Sequence, residues 1–339
     1  MSLTDVNFPS NKTIVEIIYL LKKTGGFNND WDTAYTILML MLSKLPDTFQ
    51  KEFIYLTNSN EFLKEKKLHK RFEYTVRSLK SRPKHFSINL KTLSLEMKKF
   101  IEGMDHSGIN FVRRSFRNSN FKEIFFATRR FLNYPRTSEE SLLVIVFDEM
   151  FYGPELFKAI YKRNCQFYSG KGFVEIEKEK IIVSISMLEE LAQTIGRENF
   201  GIVSGRDRLS ARFSLGEILD KFRTAAVLFL MDYNYQKKKS EKVGKNFKKP
   251  NPQPLFEASK GLNSFKYALY VGDSAEDMLM VKRANAIEKK FISVGVYSLS
   301  DFKQELRSYF FDADIDLILN SIIELPSVLM KIKRGEIRE

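Results

Sequence analysis

Apolar residues recur along this chain with two different periods, and the change from one to the other divides it. Residues 12 to 23, KTIVEIIYLLKK, put Ile14, Ile17, Ile18 and Leu21 on much of one side of a helix that stops at Thr24-Gly25-Gly26. A polar stretch with Asp32 or Asn29 as cap leads into TAYTILMLMLSKL, whose apolar density predicts a buried helix. Residues 48 to 135 read as mostly helical and basic, without repeats, and Pro135 with RTSEES marks a boundary. A helix is predicted from Ser184 to Thr194. From 199 to 296 short apolar runs alternate with helical stretches: strands at Phe200–Val203, Ala225–Met231, 266–272 and from Phe291, and helices over Ala211–Phe222, from Pro254, and over 277–286. A further helix over Asp301–Tyr309 and segments at 314–319 and 323–329 close the chain. Such alternation implies a parallel sheet with right-handed crossovers.

One stretch resists assignment. LLVIVFDEM, from Leu142, is a buried strand ending at Asp148 if read with period two. Read with period 3.6 it is a helix from Glu139 to Tyr152, stopped by Gly153-Pro154, with Leu143, Phe147, Met150 and Phe151 towards a core.

Composition narrows the class. At 339 residues the chain exceeds one ordinary core, so two domains are expected, 1–195 mainly helical and 196–339 α/β. No apolar run approaches a membrane span and MSLTDVNFPSNK is too polar for a signal peptide, which predicts a cytoplasmic protein with no membrane partner. The single cysteine, Cys165, excludes an intrachain disulfide and reads as a small buried hydrophobe. His69, His85 and His106 have neither ligand spacing nor a neighbouring nucleophile. The net charge of +13 would suit nucleic acid, a phosphorylated ligand or a solvated lysine surface. The basic runs over 64–84 and 237–249 carry no base-reading module, so nucleic acid is disfavoured as the partner.

The candidate chemistry gathers at strand exits. Ser204 follows a strand, and its hydroxyl with neighbouring backbone N–H groups can hold a phosphate oxygen. Arg206 or Arg208 can add charge-assisted contacts. Lys249, fixed beside Pro250, is the lysine with a defined approach to the sheet edge. Asp273 and Asp277 flank Ser274 at a predicted helix start, a carboxylate pair suited to Mg2+. Asn28, Asn29, Asp30 and Trp31, between two helices, have the makeup of a recognition loop or of a turn with caps.

Three of these stretches resemble, in order, the second, third and fourth motifs of the haloacid dehalogenase superfamily: IVSGR with Ser204, KP with Lys249, and YVGDSAEDM with Asp273 and Asp277. GGFNNDWD, from Gly25 to Asp32, is similar to the cap sequence of that superfamily's capped, IA-like phosphatases. The resemblance implies a three-layer Rossmann-like core with a parallel sheet, a large helical cap, and Mg2+-dependent hydrolysis of a small phosphorylated metabolite through an aspartyl-phosphate. Asp273 and Asp277 would hold Mg2+, Ser204 a phosphoryl oxygen, and Lys249 would neutralise the transferring group. Asn28, Asn29, Asp30 and Trp31 would close over the substrate, while Arg206 would contact a substrate acid or pair within the fold.

The chain departs from the pattern at the family's first motif, DxDx(T/V). Asp5-Val6-Asn7 lies too near the cap sequence and lacks a preceding strand, and Asp148 would be followed by Met150 where the acid should stand. A chain beginning inside the cap would lack the central strand, with 142–148 the best substitute. The alternatives are therefore a catalytically inactive member that keeps phosphate and metal binding, and, behind it, a basic nucleic-acid-binding protein. A homo-oligomer is compatible with each reading.

Overall fold

A computed structural model describes residues 11–27, 30–80, 90–105, 107–135, 140–176, 181–232 and 247–336. The chain divides into two compact units, Met1–Ile176 and Glu177–Glu339. Among the described residues no helix is long and apolar enough to cross a membrane.

The first unit is helical, and no strand is assigned in it among the described residues. Its helices are α1 (Asn11–Lys23), α2 (Asp30–Ser43), α3 (Asp47–Asn58), α4 (Asn60–Lys64), α5 (Leu68–Lys80), α6 (Leu90–Glu102), α7 (Ile109–Arg117), α8 (Lys122–Leu132), α9 (Leu142–Tyr161) and α10 (Phe173–Ile176). Ile17 and Leu21 from α1 meet Tyr35 and Met39 from α2, Phe53 from α3, Phe125 and Phe131 from α8 and Val144 from α9 in one core. The i, i+4 spacing of Ile17 and Leu21 puts both on the buried face, as the periodicity requires.

The ambiguous run is α9, so the strand reading of 142–148 is corrected, and with it the idea that this segment substitutes for a core strand. Ser141 caps the helix, its hydroxyl accepting from Val144 N at 3.4 Å, and the capped start tips a run of either period into a helix. The buried face also differs from the expected one. Leu142, Leu143, Val144, Ile145 and Tyr152 are buried, while Met150 is 51% exposed. Gly153 takes a left-handed φ of 72°, which breaks the helical path before Pro154.

The second unit is mixed α/β with small parallel sheets. In chain order it contains α11 (Ile185–Ile195), β1 (Ile202–Ser204), α12 (Arg208–Leu215), β2 (Val227–Phe229), α13 (Gln253–Ser259), β3 (Ala268–Gly272), α14 (Ala275–Asn285), β4 (Phe291–Val296), α15 (Lys303–Asp312), β5 (Leu317–Leu319) and α16 (Leu325–Lys333). The expected boundary after residue 195 moves to Ile176, because Met187, Leu188 and Leu191 of α11 pack with Val294, Leu319 and Leu325 of this unit.

β1 pairs parallel with β2, Ser204 opposite Phe229, and β3, β4 and β5 form a second parallel ladder with Gly272 opposite Gly295. Alternate residues of β3 point to opposite faces, as a pleated strand demands. Ala268 and Tyr270, with Val203 of β1, meet Leu255 of α13 and Met280, Val281 and Ala284 of α14. Leu269 and Val271, with Phe200 just before β1, meet α11 and α16. Both sheets thus contribute to both helical layers. Among the described residues β1 has β2 as its one ladder partner and β3 has β4, so each keeps an open edge.

Candidate functional site

Strand direction decides which ends meet. Lys249 reaches the C-terminal end of β3, where its Nζ donates to Asp277 Oδ1 at 2.7 Å. The seven-residue α13 then leads to Gly261, which lies so close to Ala225, at the entry to β2, that a Cβ there would overlap the Ala225 backbone. Gly261 also leads into β3, whose first residue donates from Ala268 N to Lys290 O at 3.0 Å beside the entry to β4. The strand entries therefore share one edge and the exits share the other. Ser204, Asp232 and Asp273 follow or end their strands on that second edge.

Asp277 is the most constrained group there. Its Oδ1 accepts from Lys249 Nζ at 2.7 Å and from Tyr270 OH at 2.8 Å, and its Oδ2 accepts from Ser274 Oγ at 2.7 Å. The Ser274 hydroxyl also accepts from Asp277 N at 3.3 Å, so this serine caps α14 and holds the carboxylate together. The side chains of Lys249 and Asp277 are 17% and 6% exposed. Gly272 makes room for the pair, since a Cβ at 272 would overlap the Asp277 side chain.

The electrostatics follow from that burial. Burial alone would push Asp277 up, but the Lys249 ammonium, with the Ser274 and Tyr270 hydroxyls, overcomes it and holds the carboxyl below its ordinary range. Burial pulls the Lys249 ammonium down, and the Asp277 carboxylate and Tyr270 oxygen reverse this, holding it above the usual lysine range. Burial, then Asp277, pushes the Tyr270 phenol up, so it stays a protonated donor.

The other exits are more open. Asp273 is exposed at the end of β3. Ser204 is half-buried, its Oγ accepting from Arg206 N at 3.3 Å. Arg206 donates to Ser214 Oγ at 3.3 Å, which ties its guanidinium into α12. Asp232, after β2, accepts from Arg208 N at 2.9 Å; burial, reinforced by neighbouring Asp207, holds its carboxyl above the ordinary range. Asp207 caps α12, with Oδ1 accepting from Ser210 N at 2.8 Å.

Of the residues singled out in the sequence, Lys249 and Asp277 touch directly, Asp273 adjoins them, and Ser204 shares their edge. Of the two carboxylates expected to hold a metal, Asp273 is exposed, and both Asp277 oxygens accept from protein donors. Among the described residues no group of three or more His, Cys, Asp or Glu is placed to hold a metal ion. Tyr270 was missed as a site residue; an aromatic inside a buried strand reads as core, and its seven-residue spacing to Asp277 was the available signal.

The recognition-loop residues belong to the first unit. Asn28 and Asn29 lie outside the described residues. Asp30 pairs with Lys22 at 3.1 Å. Trp31 Nε1 donates to Asp148 Oδ1 at 2.8 Å, and Tyr161 OH donates to Asp148 Oδ2 at 2.6 Å. Asp148 therefore anchors two aromatic side chains within its own unit rather than ending a strand as a nucleophile. Its neighbour Glu149 accepts the N–H groups of Gln166, Phe167 and Tyr168 at 2.7, 2.6 and 3.0 Å, a turn of backbone held on one buried carboxylate. Cys165, next to that turn, is half-buried rather than fully buried.

Comparison with family models, curated proteins and solved structures finds no match.

Proposed function

We propose that the second unit is a Rossmann-like core of the haloacid dehalogenase type, and that the chain is a Mg2+-dependent phosphohydrolase of a small phosphorylated metabolite. The observation that carries this reading is the Lys249–Asp277 pair at the β3 exit, with Asp273 beside it and Ser204 on the same edge. In open α/β sheets that edge is where ligands bind.

The parts divide the work. Ser204, half-buried at the β1 exit, donates its hydroxyl proton to a phosphoryl oxygen. Asp277 holds Lys249 charged and in place, so the ammonium offsets charge on the group being transferred. Mg2+ suits one or two carboxylates completed by water and phosphate oxygens. The exposed Asp273 carboxylate fits that role, and Asp277, whose oxygens accept from Lys249, Tyr270 and Ser274, positions Lys249 and keeps an Oδ2 lone pair that would reach the ion directly or through water. A bound Mg2+ would supply charge neutralisation at the phosphoryl oxygens.

A second reading is favoured by a specific observation. Among the described residues no strand hydrogen-bonds to the open edge of β1 or of β3 and none brings a DxD carboxylate pair to this edge. A chain of this kind without a nucleophile would bind a phosphorylated ligand and not turn it over. Phosphate release by the full-length protein over a broad phosphometabolite panel with Mg2+ separates the two. Release that is lost in K249M and D273N supports hydrolysis. Mg2+-dependent binding of inorganic phosphate without release, lost in D273N, supports the binding protein, and neither activity overturns both readings.

A further inference from the structure

We infer that the cleft on the opposite edge of the second unit, at the entries to β3 and β4, binds a nucleoside phosphate, either free or as a unit of a single-stranded nucleic acid. The cleft has a volume of about 530 Å3 and is lined by residues of 259–267 and 288–290. That lies within the range of small-molecule sites. It is separated by the length of the strands from Ser204, Lys249 and Asp273, so it does not depend on the hydrolase reading.

Its charge is lopsided. Four lysines line it, Lys260, Lys266, Lys289 and Lys290, against one acid, Glu288. Lys260 is paired with Glu257 at 3.0 Å and Lys290 with Glu288 at 2.9 Å. Lys266 and Lys289 are exposed and have no acidic partner among the described residues. Two uncompensated ammonium groups at the mouth of a cleft attract an anion of more than one charge.

The aromatic component narrows the ligand further. Tyr267 is 53% exposed, and Lys266 Nζ lies 5.4 Å from its ring centroid. An exposed ring with an ammonium over it is a combination that single-stranded nucleic-acid sites use, a ring stacking on a base while a cation meets the phosphate. Lys290 is fixed behind them, its Nζ 5.6 Å from the Phe256 ring and 5.9 Å from that of Phe265. Asn263 accepts from Arg223 through its Oδ1, which leaves the amide N–H2 directed to no described residue and able to donate to a base edge.

The test is a titration of the full-length protein with a fluorescein-labelled eight-nucleotide oligo(rA), with ADP and inorganic pyrophosphate as competitors. The wild type should bind, and ADP should compete at least about tenfold better than pyrophosphate. The K266A/K289A variant should weaken binding at least about tenfold and flatten the salt slope by about 1.4, the contribution of two phosphate contacts on a single strand. Y267L should weaken the oligonucleotide and ADP while leaving pyrophosphate unchanged, with circular dichroism checking the fold of each variant. ADP binding without a gain for the oligonucleotide assigns a free nucleotide, and tighter oligonucleotide binding assigns a nucleic acid; both sustain the shared chemistry. No binding of any probe at millimolar concentration, equal competition by ADP and pyrophosphate, or wild-type affinity in K266A/K289A overturns the inference.

Discussion

Lys249 and Asp277 are joined at 2.7 Å inside the second unit, and Tyr270 and Ser274 donate to the same carboxylate at 2.8 and 2.7 Å. Breaking a buried pair from one side leaves a charge with no partner, which costs about 3–5 kcal/mol. D277N strands the ammonium and should fall in that range. K249M leaves a carboxylate that keeps two hydroxyl donors and should lose less, and the double variant should lose less than the sum of the two. Urea unfolding followed by circular dichroism reads the effect. Trp31, the chain's single tryptophan, lies in the first unit, so circular dichroism rather than its fluorescence is the probe here.

The pair also predicts a pH window. Asp277 has a lowered folded pKa against an ordinary value of 3.8, so its stabilisation is complete above about pH 4 and is lost as pH falls through the folded value. Lys249 has a raised folded pKa against 10.5, so its stabilisation is complete below about pH 10 and is lost as pH rises beyond it. The second unit's urea midpoint should be flat between these limits with respect to this pair and fall outside them. In the K249M/D277N variant both limbs should shrink, and limbs of unchanged size would contradict the assignment.

Trp31 and Asp148 make a separate prediction for the first unit. W31F removes the indole donor from a buried carboxylate, a loss of about 1–3 kcal/mol. D148N keeps one oxygen for a donor but weakens both bonds. Its effect is read directly in the fluorescence of Trp31, whose unfolding midpoint should drop while the second unit's transition stays in place.

Asp273 should behave in the opposite way to Asp277. It is exposed, so D273N should change stability less than D277N does. Calorimetric titration with Mg2+ in the presence of inorganic phosphate should nevertheless lose its signal in D273N. Wild-type heats in that variant would remove Asp273 from the proposed role.

What could be read from the residues alone followed the strength of the local signal. FISVGV was legible as β4 because a short, mostly apolar run with β-branched residues and a glycine has few other uses, and Ser274 announced the start of α14 as an N-cap. LLVIVF was not legible, since both periods fit and only the Ser141 cap and the packing of Val144 choose between them. The domain boundary failed for a tertiary reason: nothing in the sequence of α11 says that its apolar face belongs with Val294 and Leu319. At the site, the approach of Lys249 was visible from the proline after it. The contact of Tyr270 with Asp277 was hidden, because it depends on a side chain crossing from strand to helix start.

The open edges of β1 and β3 have a consequence for how the second unit breathes. Among the described residues β4 is the strand with ladder partners on both sides, so its amides should exchange with solvent most slowly, and those facing outward on Ile202–Ser204 and Ala268–Gly272 should exchange far sooner. Neither of those strands carries a lysine or a proline, and an open edge without them can template an extended chain that meets it. Concentration should therefore act on this unit as a reagent, slowing exchange at β1 and β3 while leaving β4 unchanged.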